Sequence, residues 1–129
     1  MQPVRPPAVL VIEDTEDIRE AFVDVLSFAG YEVFAAVHGR DALDRLENGL
    51  KPDLIVTDLM MPVMNGYEFL QAIRQHPDWA SIPVVIVSAN RNFDEKDLGV
   101  TRILRKPVTM DTLLDEVRLA AASQRRAAS

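Results

Sequence analysis

Val9-Leu10-Val11-Ile12 runs directly into Glu13-Asp14, and the design recurs three times: Leu54-Ile55-Val56-Thr57 before Asp58, Val84-Val85-Ile86-Val87 before Ser88, and Ile103-Leu104-Arg105 before Lys106-Pro107. Each is a short, largely apolar run bounded by turn and helix signals, which reads as a buried strand of a parallel sheet. Open α/β sheets bind their ligands outside the carboxyl ends of such strands. Three carboxylates, a hydroxyl and an ammonium are therefore expected to converge on one rim.

Between these runs the apolar residues recur at helical spacing, the signature of repeated βαβ units. Asp14 is expected to cap a helix whose Ile18, Phe22, Val25, Leu26 and Ala29 form one stripe, ended by Gly30. Residues 31–36 read as a second strand. The next helix runs from about Gly39 or Asp41 to Asn48-Gly49, with Ala42, Leu43 and Leu46 inward. Asn65-Gly66 opens a third, through Phe69, Leu70 and Ile73 to His76-Pro77. Residues 91–99 hold at most a short helix, and a last helix runs from Thr109 to about Ala122. The expectation is an α/β domain of five strands and five helices, one of them stunted.

A chain of 129 residues fits one domain, with an ordered core from about residue 8 to 122 and loose termini. Hydrophobic content of 48% with 26% charged residues is that of a soluble globular protein. The absence of cysteine excludes a disulfide framework and thiol chemistry and suits a cytoplasmic setting. No apolar stretch approaches the ~20 residues of a membrane helix, and the proline-rich start is not an export signal. A net charge of −6 excludes nucleic-acid binding by bulk charge. The basic closing stretch, with Arg118, Arg125 and Arg126, reads as a solvated helix face and frayed tail. With no repeat, linker or second domain read from the chain, any activity is expected of this domain itself, with output through protein contact.

The rim has a chemistry of its own. Glu13, Asp14 and Asp58 within a few ångströms would repel one another unless neutralised, and a hard divalent cation neutralises them. Magnesium commonly bridges one or two carboxylates to a phosphate, so the pocket suits Mg²⁺ and a phosphoryl group. Asp58 is then a candidate nucleophile, because aspartates form acyl phosphates, with Lys106 and Ser88 as donors to the phosphoryl oxygens. Singly, each has a plainer reading: Asp14 an N-cap, Glu13 a solvated neighbour, Asp58 a turn residue, Ser88 a loop hydrogen bond, Lys106 a surface lysine. Their conjunction at one end of parallel strands favours the functional reading.

Taken together, Val11-Ile12-Glu13-Asp14, the stretch Asp58-Leu59-Met60-Met61-Pro62-Val63-Met64-Asn65-Gly66-Tyr67-Glu68-Phe69-Leu70, Ile82-Pro83 through Ser88-Ala89, and Lys106-Pro107 resemble, from about Val9 to Ala122, the receiver domain of bacterial two-component response regulators. The resemblance implies a doubly wound, flavodoxin-like sheet of strand order 2-1-3-4-5. It implies Asp58 as phosphoacceptor, Glu13 and Asp14 with Asp58 and the Met60 backbone carbonyl around Mg²⁺, Ser88 as switch hydroxyl, and Lys106 paired with the phosphoryl group. A cis bond before Pro107 is implied as well. The partner would be a histidine kinase or a phosphotransfer protein donating from phosphohistidine, the output would be a change of protein contacts or onward transfer of the group in a phosphorelay, and the domain would be a phosphoacceptor rather than a turnover enzyme. Ile103 stands where the family usually carries Tyr or Phe, and the segment between Ser88 and Lys106 is about one turn short. Output is therefore expected to rely on reordering of the loop from Asn90 to Gly99. Met60 and Asn90 hold positions that tune loss of the phosphoryl group, and an apolar Met60 implies slow self-hydrolysis.

Other classes fit less well. A flavodoxin-like cofactor carrier must cradle phosphate in its first loop, which Glu13-Asp14-Thr15-Glu16-Asp17 would repel. A phosphatase of the haloacid dehalogenase type wants a second Asp where Met60 stands. A receiver-like interaction scaffold that works without phosphorylation is the serious rival.

Overall fold

The computed structural model describes residues 6–59, 63–89 and 102–128, with side chains described as far as residue 122. In chain order the elements are β1 (Ala8–Ile12), α1 (Glu16–Phe28), β2 (Glu32–Ala36), α2 (Gly39–Glu47), β3 (Leu54–Thr57), α3 (Gly66–Arg74), β4 (Val84–Ser88), β5 (Arg102–Arg105) and α4 (Met110–Ala128). The strands form one parallel sheet in the order β2-β1-β3-β4-β5, as expected. Every residue of β1, β3 and β4 is buried, which is why these three read as continuous apolar runs, whereas the edge strands β2 and β5 are partly exposed.

Strand alternation sorts the core into two layers. Val9 and Val11 of β1, with Val56, Val85 and Val87, face Phe22 and Leu26 of α1 and Leu113 and Val117 of α4. Leu10 and Ile12, with Ile55 and Ile86, face Leu43 and Leu46 of α2 and Phe69 and Ile73 of α3. Each such aliphatic or aromatic side chain contributes roughly 1.5–3 kcal/mol on burial, so the sheet is held from both faces. Because β1 connects to β2 on one side and β3 lies on the other, the chain changes direction between β1 and β3, and a crevice opens at their carboxyl ends.

The ends of the helices differ from expectation in instructive ways. Thr15, not Asp14, is the N-cap of α1 and makes no side-chain capping bond, so Asp14 lies one residue outside the helix on the rim. Ala29, expected on the buried stripe, is the exposed C-cap. Gly30 and Gly49 take φ of 103° and 105° after α1 and α2, the left-handed conformation in which glycine ends a helix. His38 caps α2 by accepting from Asp41 N–H at 3.1 Å through Nδ1. Asn65 opens α3 with a full capping box, reciprocated by Glu68. The last helix continues six residues past the expected Ala122, to Ala128. The stunted helix expected over 91–99, together with Met60 and Asn90, lies outside the described residues.

Val63, in the loop between β3 and α3, sits at φ 68° with 76% of its surface exposed. A β-branched residue is disfavoured there, at a cost of about 1–3 kcal/mol, and its exposed side chain returns little packing. Glycine removes the strain but adds about 0.4–1 kcal/mol of unfolded-state entropy. Val63→Gly is therefore expected to stabilise the protein by about 1 kcal/mol in urea unfolding; an unchanged or lower midpoint counts against strain at this position.

Candidate phosphoacceptor site

Backbone pairing delivers the acidic residues to the crevice. Ile12 pairs with Thr57, so Glu13 and Asp58 are the next residues of adjacent strands. The Asp58 N–H donates to Ile12 O at 3.2 Å, and Glu13 N–H donates to Ala36 O at 3.1 Å, extending the sheet pattern by one residue on each side. Glu13 is 2% exposed and Asp58 7%, unusual for carboxylates unless they are paired.

The pairing comes from Lys106. Its Nζ lies 2.9 Å from Glu13 Oε1 and 2.8 Å from Asp58 Oδ2, bridging the two strands. The lysine is held in turn by its own N–H, which donates to Ser88 O at 2.9 Å, and is followed by a cis bond to Pro107. The remaining carboxylate oxygens are also engaged. Leu59 N–H donates to Asp58 Oδ1 at 2.6 Å, and Thr15 N–H donates to Glu13 Oε2 at 3.1 Å. Asp58 is thus fixed in orientation from two directions.

Glu13, Asp14 and Asp58 each offer a carboxylate oxygen, and the three lie within 4.8 Å of one another. Three carboxylates against one ammonium leave two negative charges, the charge of one divalent cation, and an all-oxygen donor set suits a hard ion such as Mg²⁺. Burial is the strongest influence on Glu13 and, against the opposing hydrogen bonds from Lys106 and Thr15, holds its carboxyl above the ordinary range. Burial pulls the Lys106 ammonium down, but the hydrogen bonds and charges of Asp58 and Glu13 together outweigh it, and the net displacement is upward. The lysine is therefore cationic throughout the neutral range.

Ser88 ends β4, fully buried, two residues past Ile86, which pairs with Thr57. Ile103 pairs with Ile86 in β5 and packs half-buried against the layer that holds α2 and α3. Two contributors were not singled out in the sequence. Arg19, one turn into α1, donates through Nη1 to Glu13 O at 2.9 Å and fixes the acidic loop. Thr57, buried, donates its hydroxyl to Asp58 O at 2.9 Å. A basic residue one turn past an acidic pair, and a hydroxyl beside the expected nucleophile, were the available signals.

Residues 9–118 match the model of the response regulator receiver domain family. The response regulator MprA of Mycolicibacterium vanbaalenii is 34% identical over 117 residues, covering 88% of this chain and 49% of that protein, so the chain spans about half the length of this curated relative. Among solved structures, the chemotaxis response regulator CheY4 of Vibrio cholerae superposes with a TM-score of 0.83 at 32% identity, covering 89% of this chain and 98% of the other. The response regulator TrrA of Thermotoga maritima, solved in complex with Mg(2+)-BeF, superposes with a TM-score of 0.78 at 26% identity, covering 88% and 98%. Strand order, acidic crevice and sequence agree, and the chain belongs to the response regulator receiver domain family.

Proposed function

We propose that Asp58 accepts a phosphoryl group from a phosphohistidine of a histidine kinase or phosphotransfer protein, and that the acyl phosphate alters the contacts this domain makes with a protein partner. The observation that carries the reading is the Lys106 ammonium seated between Asp58 Oδ2 and Glu13 Oε1, inside a three-carboxylate cluster. In the transfer, a carboxylate oxygen of Asp58 forms the new O–P bond as the P–N bond to the donor imidazole breaks, and the electron pair of that bond leaves with the imidazole nitrogen. Leu59 N–H and Lys106 hold the Asp58 carboxylate in one orientation beforehand, which removes an entropic cost from the attack.

Glu13, Asp14 and Asp58 are the residues that would hold Mg²⁺, with the Met60 carbonyl as the further ligand implied by the family. Bound there, the ion supplies positive charge against the phosphoryl oxygens and the acidic cluster. TrrA, crystallised with Mg(2+)-BeF, supports this assignment. Lys106 is placed to shift from the Glu13 and Asp58 carboxylates to a phosphoryl oxygen, and the Ser88 hydroxyl at the end of β4 is the proposed switch donor. Ile103, Pro107 and Asn90 belong to the proposed output side of the site.

Intact-mass analysis after incubation with acetyl phosphate and Mg²⁺ tests the proposal. The expected result is the gain of one phosphoryl group, lost in Asp58→Asn and on chelation of the metal. Failure to gain mass, with a phosphohistidine donor supplied as well, would leave a receiver-like binding scaffold.

A further inference from the structure

At the pole away from Asp58 the surface carries a knob beside a hole. α1 leaves the carboxyl end of β1 and runs back about 20 Å over its 13 residues, ending on Phe28. That side chain is 95% exposed, the most exposed large apolar group among the described residues. It contributes nothing to the core, and a phenyl ring left in water is an unmet burial of roughly 150–250 Å². Immediately after it in the chain lies a cavity of about 370 Å³, lined by Pro7, Gly30, Tyr31, Arg118, Ala121 and neighbouring small residues.

The hole follows from the sequence. Gly30 turns the chain out of α1 at φ 103°, and a Cβ built on it would meet nothing within 4 Å. Alanines on α4 leave the facing wall shallow. Gly30 N–H to Ser27 O at 3.0 Å and Tyr31 N–H to Leu26 O at 3.1 Å fix the rim, so the shape is preformed.

We infer that this pole is a self-association surface, in which Phe28 of one copy of the chain enters the cavity of a second copy, and the reverse, about a two-fold axis. A knob followed directly in the chain by a hole meets the isologous condition when one rotation matches both pairs, which closes the assembly at a dimer. Charge favours the same occupant. Asp24 precedes Phe28 by one helical turn and is exposed on the same face, while Arg118, its side chain 71% exposed, stands at the hole. Inserting the knob brings Asp24 of one copy toward Arg118 of the other, twice per dimer. Arg118 is otherwise engaged with Asp115 in an exposed i,i+3 pair, which exchanges at little cost. In a chain of net charge −6 these two contacts offset the general repulsion between copies. Two rings and their sockets form a small interface, in the weak and transient class, so a dissociation constant on the order of 100 μM is expected.

Sedimentation equilibrium of the full 129-residue chain, without phosphodonor and across concentrations bracketing about 100 μM, tests the inference. The wild type should rise from the monomer mass toward twice that value. Phe28→Ser should associate at least tenfold more weakly. Asp24→Arg and Arg118→Asp should each weaken association several-fold, and the double reversal should recover it, a rescue that merely altered solubility would not produce. The ring being exposed, Phe28→Ser should keep the wild-type circular dichroism and the mass gain at Asp58, and Asp58→Asn should dimerise normally. A wild type that stays monomeric throughout overturns the inference, as does a Phe28→Ser variant that associates like the wild type. Neither outcome bears on the phosphoacceptor reading.

Discussion

Gly66→Ala is expected to destabilise the protein by about 3 kcal/mol and to slow phosphorylation from acetyl phosphate by about a hundredfold. The reason is a close approach of backbone to backbone. A Cβ at Gly66 would stand 2.4 Å from Asp58 O and 2.8 Å from Leu59 Cα, and neither atom belongs to a side chain that can turn aside. The two segments are also tied: Gly66 N–H donates to Leu59 O at 2.9 Å, and Asp58 is held to Ile12 O and by the Thr57 hydroxyl. Alanine at the first turn of α3 gains up to about 1 kcal/mol of helix propensity, which the overlap exceeds. Relief requires the Asp58–Leu59 peptide to move by about 1 Å, carrying the carboxylate away from Lys106, and misplacement on that scale costs about 10² in rate. Gly30→Ala is the control. It meets open space but a φ of 103°, so it should cost about 1 kcal/mol of strain and leave the phosphorylation rate untouched. Urea unfolding beside the time course of mass gain reads both effects, and a Gly66→Ala protein phosphorylated at the wild-type rate would show that the contact does not set the geometry of Asp58.

How legible these features were in the sequence depends on how local their causes are. β1, β3 and β4 could be read because every residue is buried, so composition alone announces them. The positions of Glu13, Asp58 and Ser88 follow from the same runs, and that of Lys106 from the shorter run of β5, since a parallel sheet collects the residues that end its strands. The start of α3 is legible at Asn65-Gly66, although the reciprocal bond from Glu68 is seen only in the structure, whereas the start of α1 is misplaced by one residue because Asp14 and Thr15 are adjacent cap-formers and Asp14 stands on the rim. His38 is not a usual cap and gave no signal. α4 outruns its apolar stripe because alanine, glutamine and arginine sustain a helix by propensity where burial has ended. Least legible was the Lys106 bridge to Glu13, a contact between residues 93 positions apart that no local pattern encodes.

That bridge carries the other large prediction. Lys106→Met keeps the length of the side chain and removes its charge, leaving Glu13 and Asp58 facing one another, both buried. Breaking a buried ion pair from one side costs about 3–5 kcal/mol, and because Lys106 is itself 20% exposed the lower end applies. A loss of about 3 kcal/mol in metal-free protein at pH 7 corresponds to roughly 10 °C in Tm for a domain of this size. The pH dependence has a definite sign. Burial already raises the Glu13 carboxyl, and Lys106 is the main influence holding it down. Without the lysine it rises further, so the native state takes up a proton more readily than the unfolded chain. Stability is then gained as pH falls toward the unfolded value of 4.5 and lost as pH rises through the folded pKa. The variant's deficit should therefore shrink from pH 7 to pH 5, whereas loss of packing alone would be nearly independent of pH. Mg²⁺ separates the causes further. At a hundred times its dissociation constant a ligand adds about 2.7 kcal/mol to either protein, and the dissociation constant itself should fall in the variant, where three carboxylates have lost their cation. Thermal melts over pH, with and without Mg²⁺, read all three effects. A Lys106→Met protein as stable as the wild type at pH 7 without metal would mean that the lysine does not neutralise the cluster, and the two-charge match to a divalent cation would fall with it.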